Sequence, residues 1–98
     1  MAYSLKNLQM MLKDIYYERD RIRGVEKTFM WFVEEVGELA NAIKSRDHEL
    51  MVSEFADVLA WFLSLANILN IDVENAFLSK YDHKCPRCGN SPCTCPMR

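Results

Sequence analysis

Apolar side chains recur at three- and four-residue intervals through most of the first 84 positions, the period of helices with one buried face. Leu5, Leu8, Leu12, Ile15, Arg19 and Ile22 trace the first such face, with Ser4 placed as its N-cap and Gly24 placed to end it in the left-handed conformation. A second helix is predicted from roughly Lys27 to Lys44, with Phe29, Phe32, Val33, Val36, Leu39, Ala40 and Ile43 on its apolar face. The polar break Ser45-Arg46-Asp47 follows, and Asp47 is suited to cap a third helix reaching about Leu69. Asp72 then reads as the N-cap of a short fourth helix ending near Tyr81, with Ile71 and Ala76 at the staple positions. Periodicity stops there. The pattern divides the chain into a helical domain, residues 1–84, and a cysteine-rich tail, residues 85–98. The expected class is all-α.

The third helix is apolar almost all round: Phe55, Val58, Leu59, Trp61, Phe62, Leu63, Leu65, Ile68 and Leu69 leave it no wide polar face. Such a helix has to be covered on every side, and three companions in a chain this short cannot do it. The expectation is a homodimer, or a dimer of dimers, in which helices two and three pair across a two-fold axis. A loosely packed monomer with exposed leucines is the alternative.

Composition sharpens this picture. All three prolines lie in the tail, and Gly24 and Gly37 are the only glycines before it, too few turn residues for a sheet protein. The net charge is −2, and every acidic residue precedes the tail. Nucleic-acid-binding surfaces are usually basic, so DNA or RNA is not expected as a partner. The first twenty residues mix charged and apolar types without a signal-peptide core, and the run from Phe55 to Ile71 falls short of a bilayer span and contains Asp57 and Asn67. A soluble, cytoplasmic protein without a membrane partner is expected.

The candidate chemistry lies in acids placed among oily residues. Residues 29–43 carry three charges, Glu34, Glu35 and Glu38, and residues 50–71 carry two, Glu54 and Asp57. No Lys or Arg in either stretch offers an ion pair three or four positions away. At about 100° per residue, Glu35 and Glu38 share one side of helix two, and Glu54 and Asp57 one side of helix three. A short connection makes these helices antiparallel, so four carboxylates can converge. Unpaired, they repel one another and resist burial; a divalent cation resolves the conflict, and oxygen-only ligands favour Mg²⁺, or Mn²⁺, over zinc or copper. A di-iron bundle needs Glu-x-x-His pairs, and neither His48 nor His83 lies three residues after a glutamate. A metal held this way attracts phosphates. The competing reading, plain solvent-facing acids, suits helix two better than helix three.

Glu34-Glu35-Val36-Gly37-Glu38-Leu39, followed by Glu54-Phe55-Ala56-Asp57-Val58-Leu59, resembles the paired E-x-x-E and E-x-x-D motifs of MazG-like nucleotide pyrophosphohydrolases. The resemblance covers roughly residues 28–81. It implies an all-α fold, obligate dimers or dimer-based tetramers, and Mg²⁺-dependent hydrolysis of nucleoside triphosphates to monophosphate and pyrophosphate. It also implies Glu35, Glu38, Glu54 and Asp57 as Mg²⁺ ligands and Lys80 on the last helix as a phosphate contact. Glu34 and Glu38 are both candidates for the base that takes the water's proton. Trp61 matches a position that lines the base pocket in some relatives, although it reads equally well as core; for Trp31 core is the preferred reading. Phosphoribosyl-ATP pyrophosphatase and dUTP- or dCTP-selective pyrophosphatases carry similar motifs. A non-catalytic protein that holds a metal–nucleotide complex is the rival of another class.

The tail reads separately. Cys85-Pro86-Arg87-Cys88-Gly89 is a good metal half-site, and Cys93-Thr94-Cys95 offers a tighter second half. One structural Zn²⁺ on Cys85, Cys88, Cys93 and Cys95, a Zn²⁺ shared between subunits, disulfides, or a free tail are the options.

Overall fold

The structure is a computed structural model describing residues 2–98. Four helices, α1 (Leu5–Arg23), α2 (Val25–Ser45), α3 (His48–Ile68) and α4 (Val73–Lys80), make up the fold, and the described residues contain no strand. The Ser4 hydroxyl accepts from the Asn7 N–H and the Asn7 side chain accepts from the Ser4 N–H, a reciprocal cap. Asp47 and Asp72 cap α3 and α4 by accepting from the N–H groups of Leu50 and Asn75.

Gly24 departs from the expected left-handed cap. It has φ 89° and ψ 167°, a region open essentially to glycine alone, because this one residue both ends α1 and starts α2. The left-handed cap falls instead on Arg46, φ 62°, which turns the chain from α2 into α3.

Helix α3 is the centre of the molecule, packed on one side by α2 and on another by α1, with α4 against α1. Gln9 clamps this arrangement. Its Nε2 donates to the Ile71 carbonyl (2.7 Å), its Oε1 accepts from the Val73 N–H (3.1 Å), and its backbone carbonyl accepts from Asn67 Nδ2 (3.1 Å). One buried amide therefore joins α1 to the elbow between α3 and α4.

The inner face of α1 differs from the periodic reading in its second half. Ile15 and Ile22 are 57% and 76% exposed, whereas Asp20 is 2% exposed and Arg23 half-buried. Leu5, Leu8 and Leu12 do turn inward.

The single chain buries little. Among the described residues only Ala42, Leu63 and Ala66 are buried apolar ones, fewer than the buried polar ones, Gln9, Asp20, Thr28, Ser64 and Asn67. Its accessible surface is 7878 Å², whereas a folded monomer of 11.5 kDa exposes about 5,800 Å². The radius of gyration is 15.8 Å, against about 13 Å for a compact domain of this length. Phe29, Val33, Val52, Phe55, Leu59 and Phe62 stand exposed on α2 and α3. By length and composition α3 could also cross a bilayer; the expectation that it falls short counted only the run from Phe55. Here it is a packing helix, and it carries two of the site's acids.

Candidate metal and nucleotide site

Helices α2 and α3 run back to back through the two-residue turn at Arg46 and Asp47, which sets Glu35 opposite Glu54 and Asp57. One carboxylate oxygen from each of the three lies within 4.8 Å of the other two. The buried Glu54 Oε2 has no hydrogen-bond partner, a costly state for a carboxylate oxygen. Partial burial first, then a hydrogen bond of the protonated form to Glu54, then the charges of Asp57, Glu54 and Glu38 push the Glu35 carboxyl above its ordinary range. Among the described residues none of the three carboxylates has an ion-pair partner within 4 Å, and three such carboxylates, with the orphaned oxygen on Glu54, fit a hard dication. Glu38 is exposed and outside this trio, although near enough for its charge to act on Glu35. Glu34 is exposed and also outside it.

A cavity of about 180 Å³ opens beside Asp57, between α1 and α3, lined by Tyr16, Asp20, Arg23, Trp61 and Ser64 among others. The Trp61 ring is half-buried there. Trp31 stacks on it, centroids 6.3 Å apart, and the Arg23 guanidinium lies 4.8 Å from its centroid. Trp31, expected in the core, packs on Trp61 by one face only and is 46% exposed in the single chain. Arg23 Nη1 donates to Asp20 Oδ1 at 2.8 Å, while the other oxygen of this buried carboxylate has no partner. Sequence reasoning missed Tyr16, Asp20 and Arg23. An Asp and an Arg three apart on an otherwise amphipathic helix look like a solvated pair, and only their closeness to Gly24 hinted at a boundary.

Lys80, at the end of α4, is exposed and lines a cleft with the tail, its ammonium 5.9 Å from the Tyr81 ring centroid. It lines neither the acidic trio nor the cavity beside Asp57.

The tail's cysteines form a second cluster, remote in sequence from the acids. Cys85, Cys88, Cys93 and Cys95 all carry free thiols, with the four sulfurs within 4.8 Å of one another. Backbone N–H groups of Thr94 and Asn90 draw the Cys88 thiol down to about 5.

The family of the MazG nucleotide pyrophosphohydrolase domain matches residues 23–89, from the end of α1 through α4 and into the tail. No curated protein matches the chain.

Proposed function

The chain belongs to the MazG nucleotide pyrophosphohydrolase family, and from that premise we propose that it hydrolyses nucleoside triphosphates to the monophosphate and pyrophosphate with Mg²⁺. The observation that carries this reading is the convergence of Glu35, Glu54 and Asp57, with an orphaned Glu54 oxygen, beside a cavity large enough for part of a nucleoside. These three carboxylates, joined by Glu38 when its exposed side chain swings inward, would hold the dication. Mn²⁺ suits the same oxygens. Bound there, the metal supplies charge neutralisation for the triphosphate and acidifies a water.

The remaining work falls to the protein. Asp57 is shared by the acidic trio and the cavity wall, so a triphosphate held at the trio would have its nucleoside end directed toward Trp61. For the base to stack on Trp61, Arg23 or Trp31 must move off the ring. Arg23 is the single cation among the residues lining the cavity. Glu34 or Glu38, both solvent-facing, takes the proton of the attacking water as the α-phosphorus–oxygen bond to the pyrophosphate breaks. Lys80 reaches phosphate only if a neighbouring subunit brings its site near.

The surface bared on α2 and α3 supports a homodimer: the excess over a compact monomer, about 2,000 Å², is of the order that obligate interfaces bury. Residues 1–84 form the catalytic domain in this reading, with the tail as an accessory, and the location is cytoplasmic.

The test is incubation with Mg²⁺ and a panel of triphosphates that includes dUTP, dCTP and phosphoribosyl-ATP, with pyrophosphate and orthophosphate assayed separately. Pyrophosphate with monophosphate is the expected result. Orthophosphate alone, or binding without turnover, defeats the reading and would favour a metal–nucleotide binding protein.

A further inference from the structure

We infer that the tail is a tetrathiolate zinc site, with Cys85, Cys88, Cys93 and Cys95 of one chain binding one Zn²⁺. A tetrahedral centre with Zn–S bonds of about 2.3 Å has sulfur–sulfur edges of about 3.8 Å. The Cys85–Cys95 and Cys88–Cys93 sulfur pairs are each 3.9 Å apart, and all four sulfurs fall within 4.8 Å. The two 3.9 Å separations match the edge of such a tetrahedron and are nearly twice the length of a sulfur–sulfur bond.

The backbone around the sulfurs is arranged to the same end. Gly89, φ 77°, lets the chain double back so that its N–H donates to the Cys85 carbonyl (2.8 Å), and the Cys85 N–H donates to the Asn90 carbonyl (3.0 Å). This turn presents Cys85 and Cys88 together, as a metal-binding knuckle does. On the other half, the Cys95 N–H donates to Cys93 Sγ (3.3 Å) and the Thr94 N–H to Cys88 Sγ (3.5 Å), while Asn90 Nδ2 bonds Thr94 Oγ1 (2.8 Å) and ties the halves together. Amides directed at sulfur stabilise thiolates and orient them toward a metal. The Cys-x-Cys half, tight on spacing alone, therefore meets the first half within bonding range of a common centre.

Beyond α4 the described chain has neither helix nor strand and buries no apolar side chain. A segment without a core is held by a cross-link of another kind, and a metal is the usual one in small folds. All-thiolate ligands prefer zinc to magnesium, and zinc outranks ferrous iron at a comparable site. Arg87 and Arg98, in the same segment, offset the surplus negative charge of four thiolates on one Zn²⁺. The site fixes one wall of the cleft of about 860 Å³ that the tail forms with Lys80 and Tyr81.

The experiment is metal analysis of the full chain, purified under reducing conditions and dialysed against metal-free buffer. One zinc per chain is expected, with four thiols that react with a thiol reagent only after a strong chelator is added. Cobalt exchanged into the site should give the visible absorption of tetrahedral thiolate coordination. Cys88→Ser and Cys95→Ser should each weaken zinc binding at least tenfold in competition with a chromophoric chelator, with the helical circular dichroism retained. If a variant fails to fold, the cobalt spectrum and stoichiometry of the unaltered chain still decide. Half a zinc per chain, iron in its place, disulfides that persist in reductant, or four thiols that react at once in zinc-treated protein would each overturn the assignment. None of these results depends on whether the acidic site hydrolyses nucleotides.

Discussion

Glu35 and Glu38 are one helical turn apart and differ in what the fold does to their charge. The Glu35 carboxyl is half-buried against Glu54 and Asp57, and its affinity for a proton is raised from the ordinary value of 4.5. The folded state therefore holds that proton more tightly than the unfolded chain does, so this contribution to stability is complete below the unfolded value and disappears as pH rises through the raised one. In chelator-treated protein, Glu35→Gln and the unaltered chain should melt together in acid, and the variant should gain the higher melting temperature toward neutral pH. A variant that melts lower at neutral pH would mean that something in the fold stabilises the Glu35 charge. Added Mg²⁺ should raise the melting temperature of the unaltered chain and leave Glu35→Gln nearly unmoved. Glu38 faces solvent, so Glu38→Gln should leave the metal-free melting temperature within about a degree while cutting turnover at least a hundredfold, a loss typical of removing a general base. Turnover that survives Glu38→Gln would shift the base role to Glu34.

Between helices, the controlling features are backbone features. Gly24 joins α1 to α2 alone, at a φ and ψ that a side chain resists, so Gly24→Ala should destabilise the fold by about 1–3 kcal/mol even though a Cβ there would meet no atom within 4 Å. Chemical denaturation measures this directly, and a neutral result would show that the junction relaxes. The caps Ser4, Asp47 and Asp72 could be read from the chain because capping is local, a matter of one oxygen and an N–H three residues on. The acidic trio was legible for a similar reason: a short turn and a fixed helical period leave little freedom in where Glu35, Glu54 and Asp57 point. The second half of α1 was not. Ile15 and Ile22 fit the apolar period, but tertiary packing turned Asp20 and Arg23 inward instead, where Arg23 pairs with one oxygen of the carboxylate. Gln9 was equally hidden, since its partners Ile71, Val73 and Asn67 lie about sixty residues away and no local pattern announces them.

The whole molecule has more surface than one chain of its mass should show, with an apolar groove between Phe32, Phe55, Leu59 and Phe62 that is lined by α2 and α3 alone. Under the proposed pairing, light scattering should give twice the chain mass of 11.5 kDa, and the melting temperature should climb with protein concentration. Phe55→Lys should produce a monomer or an aggregate and abolish turnover without altering the acids. A Phe55→Lys protein that is monomeric, equally heat-stable and fully active would remove the dimer from the account. The bared groove bears also on the life of the newly made polypeptide. Each copy leaves the ribosome by itself, and until it encounters another it displays what chaperones and proteases recognise. Its survival then depends on how soon a mate is found, so cellular abundance should climb more steeply than the rate of synthesis, and scarce copies should be the short-lived ones.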